Sequence, residues 1–421
     1  MTLQVQSSSL SRVFGADDVP GGGDREGDAA LVDLVIRGGR VRGASGPVDV
    51  VVDDGRVLEV APHDGGSRDA GRVVDATGCV VLPGLVEAHC HLDKTLFGRS
   101  WVPHSAGDAL AGRIANDRER RGELGLPDPA AMKALVEAMS GFGTTVLRTH
   151  TDVDPDVGLT GVHRVRELAE SVADTMSIQQ VAFPQHGLLS LPGTDDLLAA
   201  SMENGAKVVG GLDPSAEGEP ARYLDVVFGV AERHDAMVDL HLHTHGRSGL
   251  TDLDLVIERT AALGMAGRVV VSHVYVFGDL DDATARHLAD RLAEAGIGVV
   301  TAAPYDFPVP PLRVLHDAGV VVGCGHDGIR DLWGPYGTGD LLERARHIAY
   351  RSMFRRDEDI ELVLTAATDG GSRLLGAPAA GVVPGAAADL VVVPAGTEAE
   401  AVVAAPAGRT VLKSGRVVAG P

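Results

Sequence analysis

Cysteine is scarce in this chain of 421 residues: Cys79, Cys90 and Cys324 are the whole supply. The number is odd and no C-x-x-C spacing occurs, which argues against a disulfide framework and for a reducing compartment. Cys90 and Cys324 fall inside apolar runs, where packing is the expected role. Positive charge is also short, with 37 Lys and Arg against 59 Asp and Glu and a formal net charge of −22. Such a surface repels a phosphate backbone, so nucleic acid is not an expected partner, and it suits a cytoplasmic protein. No apolar run approaches the ~20 residues that a bilayer crossing needs, so no membrane partner is expected either. The N-terminus has neither a basic start nor an apolar stretch, so a secretory signal is not expected.

Hydrophobic residues make up 44% of the chain, enough for a sizeable core. Residues 1–29 are polar and Gly-rich and read as a loose extension. From Leu31 the runs LVDLVIRGGRVRG, VDVVVDDGRVLEVAP and GRVVDATGCVVLPG read as strands, with Gly-Gly and Asp-Asp-Gly as hairpin turns. The C-terminus repeats the style in ADLVVVPAG and RTVLKSGRVVAG, so the two ends are expected to build one small β domain.

The middle alternates short apolar runs with amphipathic Ala/Leu/Glu/Arg-rich segments. GLVEAHCHL, TTVLRTH, SIQQVAF, KVVGGLD, MVDLHLH, RVVVSHV, GIGVVTAAP and VVVGCGHD are the expected strands. Strand then helix, eight times over, predicts an α/β fold with a closed parallel (β/α)8 barrel. An open doubly wound sheet is the alternative, but no G-x-G-x-x-G follows the first strand.

In such a barrel the site lies at the C-terminal strand ends, and histidines collect there. His89 and His91 end the first strand, His150 the second, His241 and His243 the fifth, His273 the sixth, and His326 and Asp327 the eighth. Residues at i and i+2 of a strand share a face, so His89 and His91 can grip one ion together. Adding His241 and Asp327 gives three imidazoles and a carboxylate for one divalent cation, Zn²⁺ or Fe²⁺, with room for a water. Asp327 could also take a proton from that water, and His273 could hydrogen-bond it or polarise a substrate. Gln185 is placed to read a heterocycle edge, and Trp333 either to stack on a flat ring or to pack its loop. His150 is expected to support the ligands, and His326 to point away and pack.

LPGLVEAHCHLDKT, RTHTD, VAFPQHG, VDLHLHTHG, VVSHV and CGHDG followed by IRDLWGPYGTG occur in this order. In them the chain, from about Leu31 to its end, resembles the amidohydrolase superfamily and within it the cytosine-deaminase branch. The resemblance implies a β-sandwich from residues 30–82 and 376–421 around a (β/α)8 TIM barrel from 83–375. It implies one divalent metal held by His89, His91, His241 and Asp327, with His273 at the metal's water, Gln185 at the ring and Trp333 on the wall. It also implies a homo-oligomer. Lys94 is in the wrong place to be the carboxylated bridge of dinuclear relatives, so a mononuclear site is expected.

One departure bears on the reaction. Deaminases of this branch carry a glutamate three residues after the strand-five histidine, where this chain has Thr244. The acidic residue that follows the metal aspartate is replaced by Gly328. Threonine cannot act as an acid or base near neutral pH, so Thr244 is left as a substrate contact. Either His243, His245 or His273 is expected to carry the proton, or the reaction needs less protonation of the ring. The implied activity is hydrolytic C–N cleavage on a small N-heterocycle, as a deaminase with an altered substrate. The alternatives are hydrolysis of a cyclic amide or a ring N-alkylamine, as in isopropylammelide hydrolases, or a metal-binding protein without catalysis.

Overall fold

The computed structural model describes residues 31–421 apart from Ser67, Asp108 and Ala109, so the extension expected at 1–29 lies outside the described residues. Two four-stranded sheets come first. One is β1 (Val32–Gly39), β2 (Val48–Asp53), β3 (Arg56–Pro62) and β4 (Ala70–Asp75) in the order β3-β2-β1-β4. The other joins β5 (Val80–Pro83) to β14 (Leu390–Val393), β15 (Thr410–Lys413) and β16 (Arg416–Ala419) from the far end of the chain. Leu34, Ile36, Val50 and Val52 of the first sheet pack with Val81, Leu390, Val392 and Leu412 of the second.

The Asp-Asp-Gly signal is a two-residue hairpin. Asp54 and Gly55 link β2 to β3 at φ of 46° and 70°, the left-handed pair whose twist matches the flanking strands. Gly38-Gly39 is not a turn, contrary to expectation. It ends β1, where the register against β2 slips between Ile36 and Gly39.

Eight parallel strands form the barrel in chain order: β6 (Leu85–Cys90), β7 (Thr144–Asp152), β8 (Ser177–Phe183), β9 (Val208–Leu212), β10 (Met237–Leu242), β11 (Val269–His273), β12 (Ile297–Thr301) and β13 (Val322–Cys324). Helices follow the strands, among them α1 (Leu110–Glu123) and α2 (Pro129–Gly141) after β6 and α3 (Thr160–Ser171) after β7. The expected (β/α)8 TIM barrel with an added sheet domain is therefore present. No helix among the described residues is long and apolar enough to cross a membrane.

The barrel closes at a bridge between Cys90 and Asp327, where the Asp327 amide donates to the His89 carbonyl at 2.9 Å. Ring closure thus brings the first and eighth histidine-bearing segments together.

The strand period of two stacks polar side chains inside the barrel. Arg148, His150 and Asp152 alternate on β7, and Asp239, His241 and His243 on and just past β10. At the bottom of the stack the fully buried Arg148 donates to Asp239 Oδ2 at 2.8 Å, to Gln179 Oε1 at 2.8 Å and to the Leu374 carbonyl at 3.0 Å. Removing one partner of such a pair strands the other as a buried charge. Arg148→Met is therefore expected to lower the unfolding free energy by about 3–5 kcal/mol, read from a denaturant midpoint. A midpoint unchanged from the parent protein would contradict this picture of the barrel floor.

Candidate active site

His89 and His91 leave β6 on one face, His241 sits near the end of β10, His273 ends β11, and Asp327 follows β13. His91 Nε2 lies 3.2 Å from Asp327 Oδ1 and 3.4 Å from His241 Nε2, and His89 Nε2 lies 3.7 Å from Asp327 Oδ1. One ligand atom from each of His89, His241, His273 and Asp327 falls within 4.8 Å of every other. Atoms about 2.1 Å from a tetrahedral ion sit about 3.4 Å apart, so these spacings suit one small cation. Three of the expected ligands, His89, His241 and Asp327, fall in this group with His273, whereas His91 lies beside it, near Asp327 and His241.

Protonation fits the same purpose. Ser272 Oγ donates to Asp239 Oδ1 at 3.1 Å, so at 3.0 Å it accepts from His89 Nδ1–H. That fixes the tautomer and turns the bare Nε2 of His89 toward Asp327. His89 Nε2, His241 Nδ1 and both ring nitrogens of His273 are buried without a hydrogen-bond partner among the described residues. Burial holds the pKa of His241 and of His273 well below the usual range and draws His91 down to about 4. Burial would raise Asp327, but the imidazoles of His89 and His91 beside it outweigh that and hold the carboxyl well below its ordinary value. Neutral imidazoles and an ionised carboxylate are the forms that bind a metal, so the residues present fit the implied divalent ion.

His150 packs against this group, its ring centroid 4.2 Å from that of His89 and 4.5 Å from that of His241. Its nearest carboxylate oxygen, Asp239 Oδ2, is 3.8 Å away. His326 does not simply turn away. Its Nδ1 is 2.5 Å from Glu87 Oε2 while the residue still borders the cavity. The buried Glu87 also accepts from the amides of His89 and His326, so it holds both ligand-bearing segments.

A cavity of about 930 Å³ opens above the cluster. Gln185 and Trp333 border it, as expected, together with Tyr275 and Phe307, whose rings stack at 5.0 Å. Gln185 Oε1 accepts from Lys94 Nζ at 2.8 Å, and that ammonium lies 5.6 Å from the Trp333 ring centre. From sequence, Lys94 is marked only by being out of place for a carboxylated bridge. It is instead a buried cation on the cavity wall, also 3.0 Å from Asp152 Oδ1.

Thr244 requires a correction. It does not border the cavity, and its amide and hydroxyl both donate to Asp213 Oδ1, at 2.9 and 3.0 Å. The chain turns after β10, so the strand period no longer tells which way residue 244 faces. Asp213 was missed altogether. It accepts the His243 amide at 2.6 Å and lies 2.9 Å from His243 Nδ1 through Oδ2. Burial would raise its pKa, but the hydrogen bonds from His243 and Thr244 outweigh that and hold it below the ordinary value. His243 and His245 both border the cavity; His243 stacks on His273 at 4.7 Å, and the more exposed His245 lies 3.1 Å from Asp279 Oδ2. Gly328 also has a physical reason, since a Cβ there would collide with Asp331 Oδ2.

Non-glycine residues with left-handed backbone gather at this rim: Asp213 at φ 36°, His273 at 72° and Asp327 at 64°. Such conformations persist where the surroundings over-determine them, and they cluster at functional sites.

A family model described as "Amidohydrolase family" matches residues 128–419. The chain belongs to the amidohydrolase family. It is 32% identical over 298 residues to Escherichia coli (strain K12) YahJ, covering 70% of this chain but 65% of that protein, just under two thirds. It is 30% identical over 357 residues to N-isopropylammelide isopropyl amidohydrolase of Pseudomonas sp. (strain ADP), covering 82% of this chain and 87% of that one. Two crystal structures share the fold. N-isopropylammelide isopropylaminohydrolase from Burkholderia multivorans ATCC 17616 matches with a TM-score of 0.88 and 45% identity over 93% of this chain and 99% of that one. The 5-methylcytosine deaminase from Klebsiella pneumoniae liganded with phosphonocytosine matches with a TM-score of 0.80 and 26% identity over 92% and 98%. This amidohydrolase is a hydrolase of C–N bonds from a metal-dependent family, and its histidine–aspartate cluster is the candidate metal centre.

Proposed function

We propose that this amidohydrolase cleaves the exocyclic C–N bond of a small N-heterocycle carrying an alkylated amine. Water supplies the oxygen, and a free amine leaves with the water's proton. The observation that carries this reading is His243 on the cavity wall with Asp213 behind its Nδ1, in a chain that has Thr244 at the glutamate position of the deaminase branch. The deaminase with altered substrate remains the second reading, supported by the likeness to 5-methylcytosine deaminase.

His89, His91, His241 and Asp327 would hold one Zn²⁺ or Fe²⁺, with His273 beside it. That ion, when bound, supplies Lewis acidity that brings a water's pKa down toward ~7. The other steps belong to the chain. Asp327 holds the proton taken from water. Asp213 keeps His243 Nδ1–H in place and stabilises the ring when it is protonated, so Nε2 can hand a proton to the departing amine. Trp333 flanks the ring and Gln185 meets its edge. The cavity, about 930 Å³ with Tyr275 and Phe307 as apolar wall, is at the upper end of the ~300–1,000 Å³ of small-molecule sites and accepts an alkyl arm.

The test is release of amine from N-isopropylammelide set against release of ammonia from cytosine and 5-methylcytosine, using metal-loaded protein. Amine release is expected to dominate kcat/KM by at least about 100-fold, on the order of 3 kcal/mol of transition-state discrimination. Ammonia release that equals or exceeds it would overturn the proposal in favour of the deaminase reading.

Thr244→Glu separates the readings in another way. If 244 were an empty acid position, the change would raise cytosine turnover. The structure puts residue 244 against Asp213, so a second carboxylate there is expected to give no such gain and to lower amine release at least about tenfold. A rise in cytosine turnover would show that the position can host the acid after all.

A further inference from the structure

Behind the Lys94 wall lies a second polar group that the reaction does not use. Asp117 comes from α1, Asp152 ends β7, and His186 follows β8. The side chains of Asp117 and His186 are 2% and 1% exposed and that of Asp152 is 7% exposed. One ligand atom from each of the three lies within 4.8 Å of the others, with His186 Nε2 and Asp117 Oδ2 3.9 Å apart. Neither of those two atoms has a hydrogen-bond partner among the described residues, and neither does Asp93 Oδ1 nearby.

Three observations converge on a cation. First, His186 Nδ1 lies 2.9 Å from Asp154 Oδ2, closer than the 3.4 Å to Arg121, so its N–H goes to the carboxylate. The bare Nε2 then faces Asp117 and Asp152. A carboxylate behind an imidazole whose other nitrogen is free is how histidine is oriented toward a metal.

Second, the charges do not balance. Arg121 is committed to Asp154 at 2.8 and 3.1 Å, and Lys94 to Asp152 at 3.0 Å. Asp93 and Asp117 are left buried without a cation of their own. An uncompensated buried carboxylate is costly, by several kcal/mol. Third, a small pocket of about 20 Å³ is bordered by Asp93, Asp117 and Asp152 together with Lys94 and Arg121. That is room for one water or one ion.

We propose that Asp117, Asp152 and His186 form a second divalent-cation site that clamps helix α1 onto the ends of β7 and β8. Two carboxylates and an imidazole suit Mn²⁺ or Zn²⁺ rather than a soft ion. Lys94 borders both this pocket and the substrate cavity, and the site's role is structural.

Manganese is the probe. Metal-loaded protein titrated with Mn²⁺ is expected to take up one equivalent beyond that of the barrel centre, measured by plasma emission after desalting. Asp117→Asn and His186→Gln are each expected to lose that equivalent and keep the barrel's, whereas Asp327→Ala keeps the second and loses the first. No extra equivalent in the parent protein would overturn the proposal and leave Asp93 and Asp117 to share a proton. Retention of the extra equivalent by both variants would also overturn it. Should neither variant fold, parent crystals soaked in Mn²⁺ decide, since an anomalous peak among Asp117, Asp152 and His186 is required and its absence is fatal.

Discussion

Asp327→Ala is expected to abolish turnover, lowering kcat/KM by at least about 10⁴-fold, and to strip the barrel of its divalent ion. Asp327 is the only carboxylate in the group that closes around the ion, and its Oδ1 lies 3.2 and 3.7 Å from His91 and His89. Alanine leaves three neutral imidazoles with no anionic ligand and no proton acceptor for water. The fold should survive, because the barrel closes through the Asp327 backbone amide to the His89 carbonyl. Losing the carboxylate removes chemistry rather than the hydrogen bond that joins first strand to last. Metal content, activity and the thermal midpoint together check this. A variant that keeps a tenth of the parent activity, or its full metal complement, would remove Asp327 from the centre of the mechanism.

The second large effect belongs to a residue outside the metal group. Asp213→Asn is expected to lower kcat by about 10²–10⁴-fold with little change in KM. Asp213 Oδ1 accepts three donors, the amides of His243 and Thr244 and the Thr244 hydroxyl. The single oxygen of an asparagine would take that position, which turns its NH2 toward His243 Nδ1. The ring must then accept at Nδ1 and carry its proton on Nε2, the wrong tautomer for taking a proton up and handing it on. A merely structural Asp213 would change stability while leaving the pH dependence of kcat alone. The expectation here is that the His243 limb of that profile disappears. Activity within about threefold of the parent would contradict the role given to the pair.

Much of this was legible because strands count by twos. His89-x-His91 and His241-x-His243 announce a shared face, and the placement of His150, His273 and Asp327 at strand ends announces a common rim. Arg148 and Asp239 carried an unread signal, since a charged residue amid an apolar strand is buried and must find its opposite. Asp213 had a weaker one. It ends KVVGGLD as His273 ends its own strand, yet it is one of 59 acidic residues and nothing local marks it. Thr244 went wrong where periodicity stops, two residues past the end of β10. The group of Asp117, Asp152 and His186 was beyond reach of sequence, for it joins a helix, a strand end and a loop that only the closed barrel sets side by side.

Anomalous diffraction at the zinc and iron edges, on crystals of the protein as purified, tests the central claim most directly. A peak bounded by His89, His91, His241 and Asp327, with His273 alongside, is the predicted result. Metal-replete crystals with no peak at that point would contradict it.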